Sequence, residues 1–132
     1  MIPAQKILIV DDNPEVRRLL SMTLDPSIRE IHDAPNAAEG LERARSVKPD
    51  LILLDIMMPG GNGLDLCRQI KSDPLLRTSF VVIITARGQS SDIAQGKEAG
   101  ADAYITKPFS PTTLLELVEQ PECFAGYGFD LQ

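Results

Sequence analysis

Histidine and cysteine, the usual ligands of a structural metal, are almost missing from this chain of 132 residues. His32 stands alone, and Cys67 and Cys123 form no metal-type cluster. His32 reads as a surface residue at a strand end, and Cys67 as a small core residue on a helical apolar stripe. A disulfide between the two cysteines is not expected, because MIPAQK has neither the charged start nor the apolar core of an export signal. Basic residues are outnumbered, 13 Lys and Arg against 19 Asp and Glu, for a net charge of -6 and a pI near 4.7. That balance argues against direct nucleic-acid binding, which needs clustered cations to neutralise phosphates. Long hydrophobic runs are lacking too. Runs such as Phe80–Ile84 fall far short of the roughly 18 residues that cross a bilayer. The expectation is a cytoplasmic protein with no membrane contact.

What is present is ordinary globular composition, 43% hydrophobic and 24% charged, enough apolar surface to drive folding. A single domain over residues 1–120 is expected, with 121–132 as a tail or linker. Short apolar runs alternate with stretches of helical period. Ile7–Val10, Leu51–Leu54, Phe80–Ile84 and Ala103–Thr106 read as strands, with a weaker one near Ile28–Ala34. Between them, Asn13-Pro14 caps a first helix whose core stripe is Val16, Leu19, Leu20 and Leu24. Asn36 caps a second, buried through Ala38, Leu41, Ala44 and Val47. Pro59-Gly-Gly-Asn-Gly63 supplies a turn before a third helix of Leu66, Cys67 and Ile70. A fourth helix spans about Ser91–Ala99 and stops at Gly100, and Ser110-Pro111 opens a fifth with Leu114, Leu115, Leu117 and Val118. Five strands separated by helices fit a three-layer α/β fold with a parallel sheet.

In such folds functional groups gather beyond the carboxyl ends of the strands. Four of the strands here end on polar residues: Asp11 and Asp12, Asp55, Thr85, and Lys107. Three carboxylates at one sheet edge repel one another unless a cation joins them. Magnesium suits that need, since it takes oxygen ligands and commonly links one or two carboxylates to a phosphate. Asp55 on rigid structure then suits nucleophilic attack on phosphorus, with Lys107 pairing to a phosphoryl oxygen and the Thr85 hydroxyl donating to another. Each residue alone has a plainer reading: Asp11-Asp12 a helix cap, Asp55 the start of a turn, Lys107 a solvated lysine, Tyr104 a half-buried strand aromatic. Their coincidence at successive strand ends decides against those readings.

Four segments, VDDNPEVRRLL, DLILLDIMMPGGNGLDLCRQIK, VVIITA and GADAYITKPF, resemble in order the motifs of the receiver domain of two-component response regulators. The likeness spans roughly residues 5–119, with 43 residues from Asp12 to Asp55, 30 from Asp55 to Thr85 and 22 from Thr85 to Lys107. The resemblance implies a flavodoxin-like (βα)5 sandwich with strand order 2-1-3-4-5. It implies that Asp55 accepts a phosphoryl group from the phosphohistidine of a sensor kinase or phosphotransfer protein. Asp11, Asp12, Asp55 and the Met57 backbone carbonyl would hold Mg2+ or Mn2+, and Lys107 and Thr85 would contact the phosphate. Thr85 and Tyr104 would form a switch pair, Tyr104 turning inward as Thr85 moves, so that the face of the fourth helix, fifth strand and fifth helix is remodelled. The Lys107-Pro108 bond would be cis. Met57 and Arg87, two residues past Asp55 and Thr85, would tune the lifetime of the phosphoryl group. The domain would be a signalling switch rather than an enzyme, acting on an output domain or protein target, and a homodimer formed on phosphorylation is compatible with it.

Two other classes compete. A magnesium-dependent phosphohydrolase with an aspartyl nucleophile usually places an Asp-x-Asp after its first strand and carries a cap; here Asp11 and Asp12 adjoin and no insertion is long enough. A phosphorylation-independent interaction module would not need Asp12, Asp55, Thr85 and Lys107. The fifth helix, SPTTLLELVEQ, has no Lys or Arg, which argues against the winged-helix transcription regulators, and LCRQIKSDP resembles receivers joined to diguanylate cyclases or hybrid kinases. The tail PECFAGYGFDLQ reads equally as a docking segment, a linker to an output domain or an appended foreign sequence.

Overall fold

The structure, a computed structural model, describes residues 4–58 and 63–129; most of the turn expected over Pro59–Gly63 lies outside them. The elements alternate as β1 (Lys6–Val10), α1 (Pro14–Leu24), β2 (Glu30–Ala34), α2 (Ala37–Val47), β3 (Leu51–Leu54), α3 (Gly63–Ser72), β4 (Phe80–Thr85), α4 (Ser90–Glu98), β5 (Ala103–Thr106) and α5 (Pro111–Glu119). A 3-10 turn over Pro121–Phe124 follows. The strands pair in parallel in the order β2-β1-β3-β4-β5, the flavodoxin-like arrangement that the resemblance implied. Among the described residues no helix is long and apolar enough to cross a membrane.

Successive strand residues face opposite sides of the sheet, which explains why the strands are apolar throughout. Leu8, Val10, Ile52, Leu54, Val81 and Ile83 join a core with Ala44 of α2 and Leu66, Cys67 and Ile70 of α3. Ile7, Ile9, Leu51, Leu53, Val82 and Ile84 join another with Leu20 and Leu24 of α1 and Leu114, Leu117 and Val118 of α5. Helix starts follow local chemistry. Asn13 accepts the Glu15 N–H at 2.9 Å before Pro14, and Ser110 accepts the Thr113 N–H at 3.3 Å before Pro111. Asn36 accepts the Glu39 N–H at 2.9 Å while Glu39 accepts from the Asn36 amide at 2.8 Å.

Several expected core positions are not core. Leu19 is 54% exposed and Leu115 38%, because α1 and α5 bury narrow stripes through Leu20 and Leu24 and through Leu114, Leu117 and Val118. Each misplaced leucine is one residue, about 100° of helix, from its stripe. Ala38 is exposed and Gly40 buried in its place. Ile28 is 62% exposed and precedes β2, which begins at Glu30. His32 sits within β2 rather than at its end, half-buried, with Nε2 2.8 Å from Glu30 Oε2. Cys67 is wholly buried, Cys123 is exposed, and no disulfide joins them.

Past α5 the chain folds back on the sheet. Pro121, Phe124 and Phe129 are buried, and residues 126–129 run beside β5.

Candidate functional site

Parallel register sets Val10 beside Leu54 and Leu54 beside Ile83, so the residues that follow these strands emerge at one edge. Backbone bonds extend the ladder one step further: Asp11 N–H donates to Ala34 C=O at 3.2 Å and Asp55 N–H to Val10 C=O at 2.9 Å. Lys107 N–H, just past β5, donates to Thr85 C=O at 2.8 Å. The Lys107-Pro108 peptide is cis.

Two carboxylates and one ammonium result from this placement. Lys107 Nζ lies 3.0 Å from Asp11 Oδ2 and 2.9 Å from Asp55 Oδ2. Asp11 and Asp55 are only 3% and 7% exposed. Their other oxygens are also engaged: Asp11 Oδ1 accepts the Asn13 N–H at 2.9 Å, and Asp55 Oδ1 accepts the Met57 N–H at 2.8 Å. Burial raises Asp11 above the ordinary carboxylate range, with the Asn13 N–H and Lys107 opposing the rise. For Lys107 burial acts downward, but its bonds to Asp55 and Asp11 outweigh it and hold the ammonium above its usual value.

The remaining expected residues follow the ends of β1, β3 and β4 or lie on β4 and β5. Asp12 is exposed beside Asp11, and Met57 is 44% exposed beside Asp55. Thr85 is fully buried at the end of β4, and its Oγ1 accepts the Arg87 N–H at 3.4 Å. Arg87 is exposed, its guanidinium 3.8 Å from Asp92. Tyr104 does not touch the carboxylates. Its ring is 2% exposed and its hydroxyl donates to Arg87 C=O at 2.6 Å, so the inward position expected only after a change at Thr85 is the one occupied here. Burial first, then Asp92, pushes its phenol up to about 12.

Two contributors, the Arg17–Asp33 pair and Gly63, were not read from the sequence, and a third residue, Lys107, has a role that was not. Arg17 Nη1 donates to Asp11 C=O at 2.6 Å while its Nε pairs with Asp33 at 2.8 Å; a basic residue one turn into α1 and an acid near the end of β2 were the available signals. Gly63 permits α3 to meet the loop after β3, since a Cβ there would lie 2.7 Å from Asp55 O and 2.6 Å from Ile56 Cα. Lys107 holds two carboxylates together, where the sequence suggested a contact with phosphate. Among the described residues no three His, Cys, Asp or Glu side chains cluster tightly enough to hold a metal alone. Magnesium asks for less, keeping several waters and needing one or two carboxylates. Asp11 and Asp55, both bonded to one ammonium, and the neighbouring Asp12 offer oxygen donors of the kind such a hard cation takes.

A doubly wound parallel sheet with an acid–lysine cluster beyond its carboxyl edge defines an α/β domain whose site lies at the topological switch point. Residues 7–119 match the family described as the response regulator receiver domain, and the chain belongs to that family. It is 44% identical over 106 residues to the transcriptional regulatory protein ResD of Bacillus subtilis, covering 80% of this chain and 43% of ResD. To the phosphate regulon transcriptional regulatory protein PhoB of Escherichia coli it is 37% identical over 116 residues, 88% of this chain and 51% of PhoB. The signal receiver domain of a histidine kinase from Syntrophus aciditrophicus superposes with TM-score 0.81 at 34% identity, covering 89% of each chain. The chain thus spans about half the length of the curated relatives it matches. Both curated relatives are named as transcriptional regulatory proteins.

Proposed function

We propose that Asp55 is the phosphoacceptor of this receiver domain, taking a phosphoryl group from the phosphohistidine of a sensor histidine kinase or phosphotransfer protein in the cytoplasm. The observation that carries the reading is the single Lys107 ammonium joining buried Asp55 to buried Asp11 at the sheet edge. An Asp55 oxygen attacks phosphorus, the N–P bond of the donor breaks, and an acyl phosphate forms; later a water attacks phosphorus and inorganic phosphate leaves. Lys107 transfers one of its bonds from carboxylate to phosphoryl oxygen, and the Thr85 hydroxyl donates to another. Asp11, Asp12, Asp55 and the Met57 carbonyl would hold Mg2+ or Mn2+, which when bound offsets the charge on the phosphoryl oxygens.

The modification adds about 1.5 to 2 negative charges at the site. Driving a two-state element from 1:99 to 99:1 takes about 5.5 kcal/mol of differential interaction, within reach of one phosphoryl group with several charge-assisted bonds. Thr85 and Tyr104 are the pair that carries the change to the α4, β5 and α5 face. By the character of the relatives, the output is control of transcription through a further domain. Met57 and Arg87, exposed two residues past Asp55 and Thr85, are the side chains that would shield the phosphoryl group from water, and Met57→Asn is expected to change the dephosphorylation rate with phosphorylation intact.

Incubation with Mg2+ and acetyl phosphate followed by intact mass tests the assignment. A single lasting phosphoryl adduct in the wild type, absent in Asp55→Asn, supports it. Turnover of the donor with no adduct would identify a phosphohydrolase, and no reaction a phosphorylation-independent module.

A further inference from the structure

The family match ends at residue 119, but the ordered chain does not. β5 is an edge strand, and an edge strand presents a row of unpaired N–H and C=O groups. Here residues 126–129 take up part of that row. Gly126 N–H donates to Asp102 C=O at 2.7 Å, and Tyr104 N–H donates to Tyr127 C=O at 2.8 Å. Gly128 has φ +87, and a Cβ there would lie 2.0 Å from the Tyr104 carbonyl oxygen; a side chain at this position would lift the segment off the strand.

The segment is anchored on both faces of the sheet. Phe129, 5% exposed, joins the α2–α3 core with its ring edge-on to Tyr104, centroids 6.1 Å apart at 63°. Phe124 joins the α1–α5 core and packs against the Tyr127 ring at 5.2 Å. Tyr127 and Gly128 also wall a cavity of about 470 Å³ beside Tyr104, bounded by Ile93, Phe109 and Thr113.

Tyr104 therefore belongs to two assemblies. Its backbone and ring hold the segment, while its hydroxyl holds Arg87, whose N–H is on Thr85. Phe129 against the ring and Gly128 against the backbone keep Tyr104 in its buried position.

The geometry points to residues 121–129 as a resident strap on the β5 edge, one that stabilises the buried position of Tyr104 and so favours the phosphorylated state of Asp55. This rests on the proposed function, in which Thr85 and Tyr104 move together and inward Tyr104 accompanies the phosphoryl group. Two events that favour one conformation must strengthen each other equally. Strap docking should raise affinity at the Asp55 site, and occupancy at Asp55 should tighten the strap. While docked, the strap also denies the β5 edge to any partner that would add a strand there.

The test uses the full chain with Mg2+ and beryllofluoride, a phosphoryl mimic whose binding is an equilibrium. Gly128→Ala and Phe129→Ala are compared with wild type by hydrogen exchange and by beryllofluoride titration. Both variants should exchange the Tyr104 and Gly126 amides about tenfold faster or more, while the Lys107 amide, bonded to Thr85, keeps its protection. Beryllofluoride should bind both variants about fivefold more weakly or worse, and in wild type it should slow exchange at the Tyr104 amide. Gly128→Ala adds one methyl outside the core, so its effect cannot come from a cavity. If wild type binds the mimic and the variants bind it equally well, or if their Tyr104 amides exchange at the wild-type rate, the strap is overturned. A wild type that binds no mimic and forms no adduct overturns the phosphoacceptor reading itself.

Discussion

The carboxyl edge of the sheet and its β5 edge both leave polar groups without strand partners, and the chain resolves them by opposite means. At the carboxyl edge the load is charge, Asp11 against Asp55, bridged by one ammonium at 3.0 and 2.9 Å. At the β5 edge the load is backbone, satisfied by two hydrogen bonds from a returning segment that closes only because Gly128 has no side chain. The first solution is electrostatic and reacts to protonation or to a new anion. The second is steric and reacts to one methyl group. Tyr104 lies between them, and under the proposed function a chemical event at one edge would have a mechanical consequence at the other.

The largest change that separates the two is Lys107→Met. It leaves two buried carboxylates facing each other, and removing one partner from a buried charge group commonly costs 3–5 kcal/mol; with 23% of the lysine side chain exposed, about 1–3 kcal/mol is expected after solvent screening. The pH dependence follows from the shifts. In wild type Lys107 is raised, so its contribution is fully present below the ordinary lysine range and is lost only as pH rises through the folded value. In the variant two buried carboxylates face each other without the ammonium, a penalty that exists only while both are charged and so fades on acidification. Urea midpoints at pH 7.5 and pH 5 check this: the gap between variant and wild type should narrow at the lower pH. Exchange at the strap amides should change no more than global stability requires.

Gly63→Ala comes next. Its new Cβ would press on the Asp55 carbonyl and the Ile56 backbone, and because both neighbours are backbone the loop or α3 must shift. A loss of about 1–2 kcal/mol is expected, of the order of other overpacking changes, with a matching fall in the rate of adduct formation by intact mass. A normal phosphorylation rate in this variant would show that the exact seat of Asp55 matters less than its charge environment.

Tyr104→Phe, smaller again, cuts the hydrogen bond to Arg87 C=O at 2.6 Å and leaves the ring. The net worth of such a bond is about 0.5–1.5 kcal/mol. The strap should stay docked, since its bonds to residue 104 are backbone and ring contacts, yet beryllofluoride should no longer slow exchange at that amide. A variant in which both readouts survive would place the connection between the edges somewhere other than the tyrosine hydroxyl.

The carboxyl edge was far more legible in the sequence than the β5 edge, for a physical reason. Strands buried on both faces are apolar throughout, so the step from Val10 to Asp11 or from Leu54 to Asp55 marks a strand end and a site in one stroke. Helix faces were harder. Leu19 and Leu115 are as apolar as their buried neighbours, and only the narrow seam between α1 and α5 decides which leucine is covered. The strap was least legible. PECFAGYGFDLQ has no strong period, and its docking depends on positive φ at Gly126 and Gly128 and on a pocket beside a tyrosine far earlier in the chain. Lys107 was legible as a site residue but not as the bridge between two acids, because that role depends on distances.

Thiol labelling gives the finest division between the edges. Cys67 is fully buried on α3, and burial pushes its thiol up to about 11. At pH 8 about one molecule in a thousand would carry its thiolate, so iodoacetamide should reach it only through opening of the domain. Cys123, exposed in the turn that leads into the strap with its Sγ 3.4 Å from Gln120 Oε1, should label first in wild type. Lys107→Met should speed Cys67 labelling in proportion to its loss of stability. Gly128→Ala should leave Cys67 close to the wild-type rate while the Tyr104 amide exchanges faster, because lifting the strap withdraws only Phe129 from the α2–α3 core that holds Cys67. Mass spectrometry of the labelled peptides over time reads both. If Gly128→Ala accelerates Cys67 as well, Phe129 is a keystone of that core, and the two edges belong to one cooperative unit.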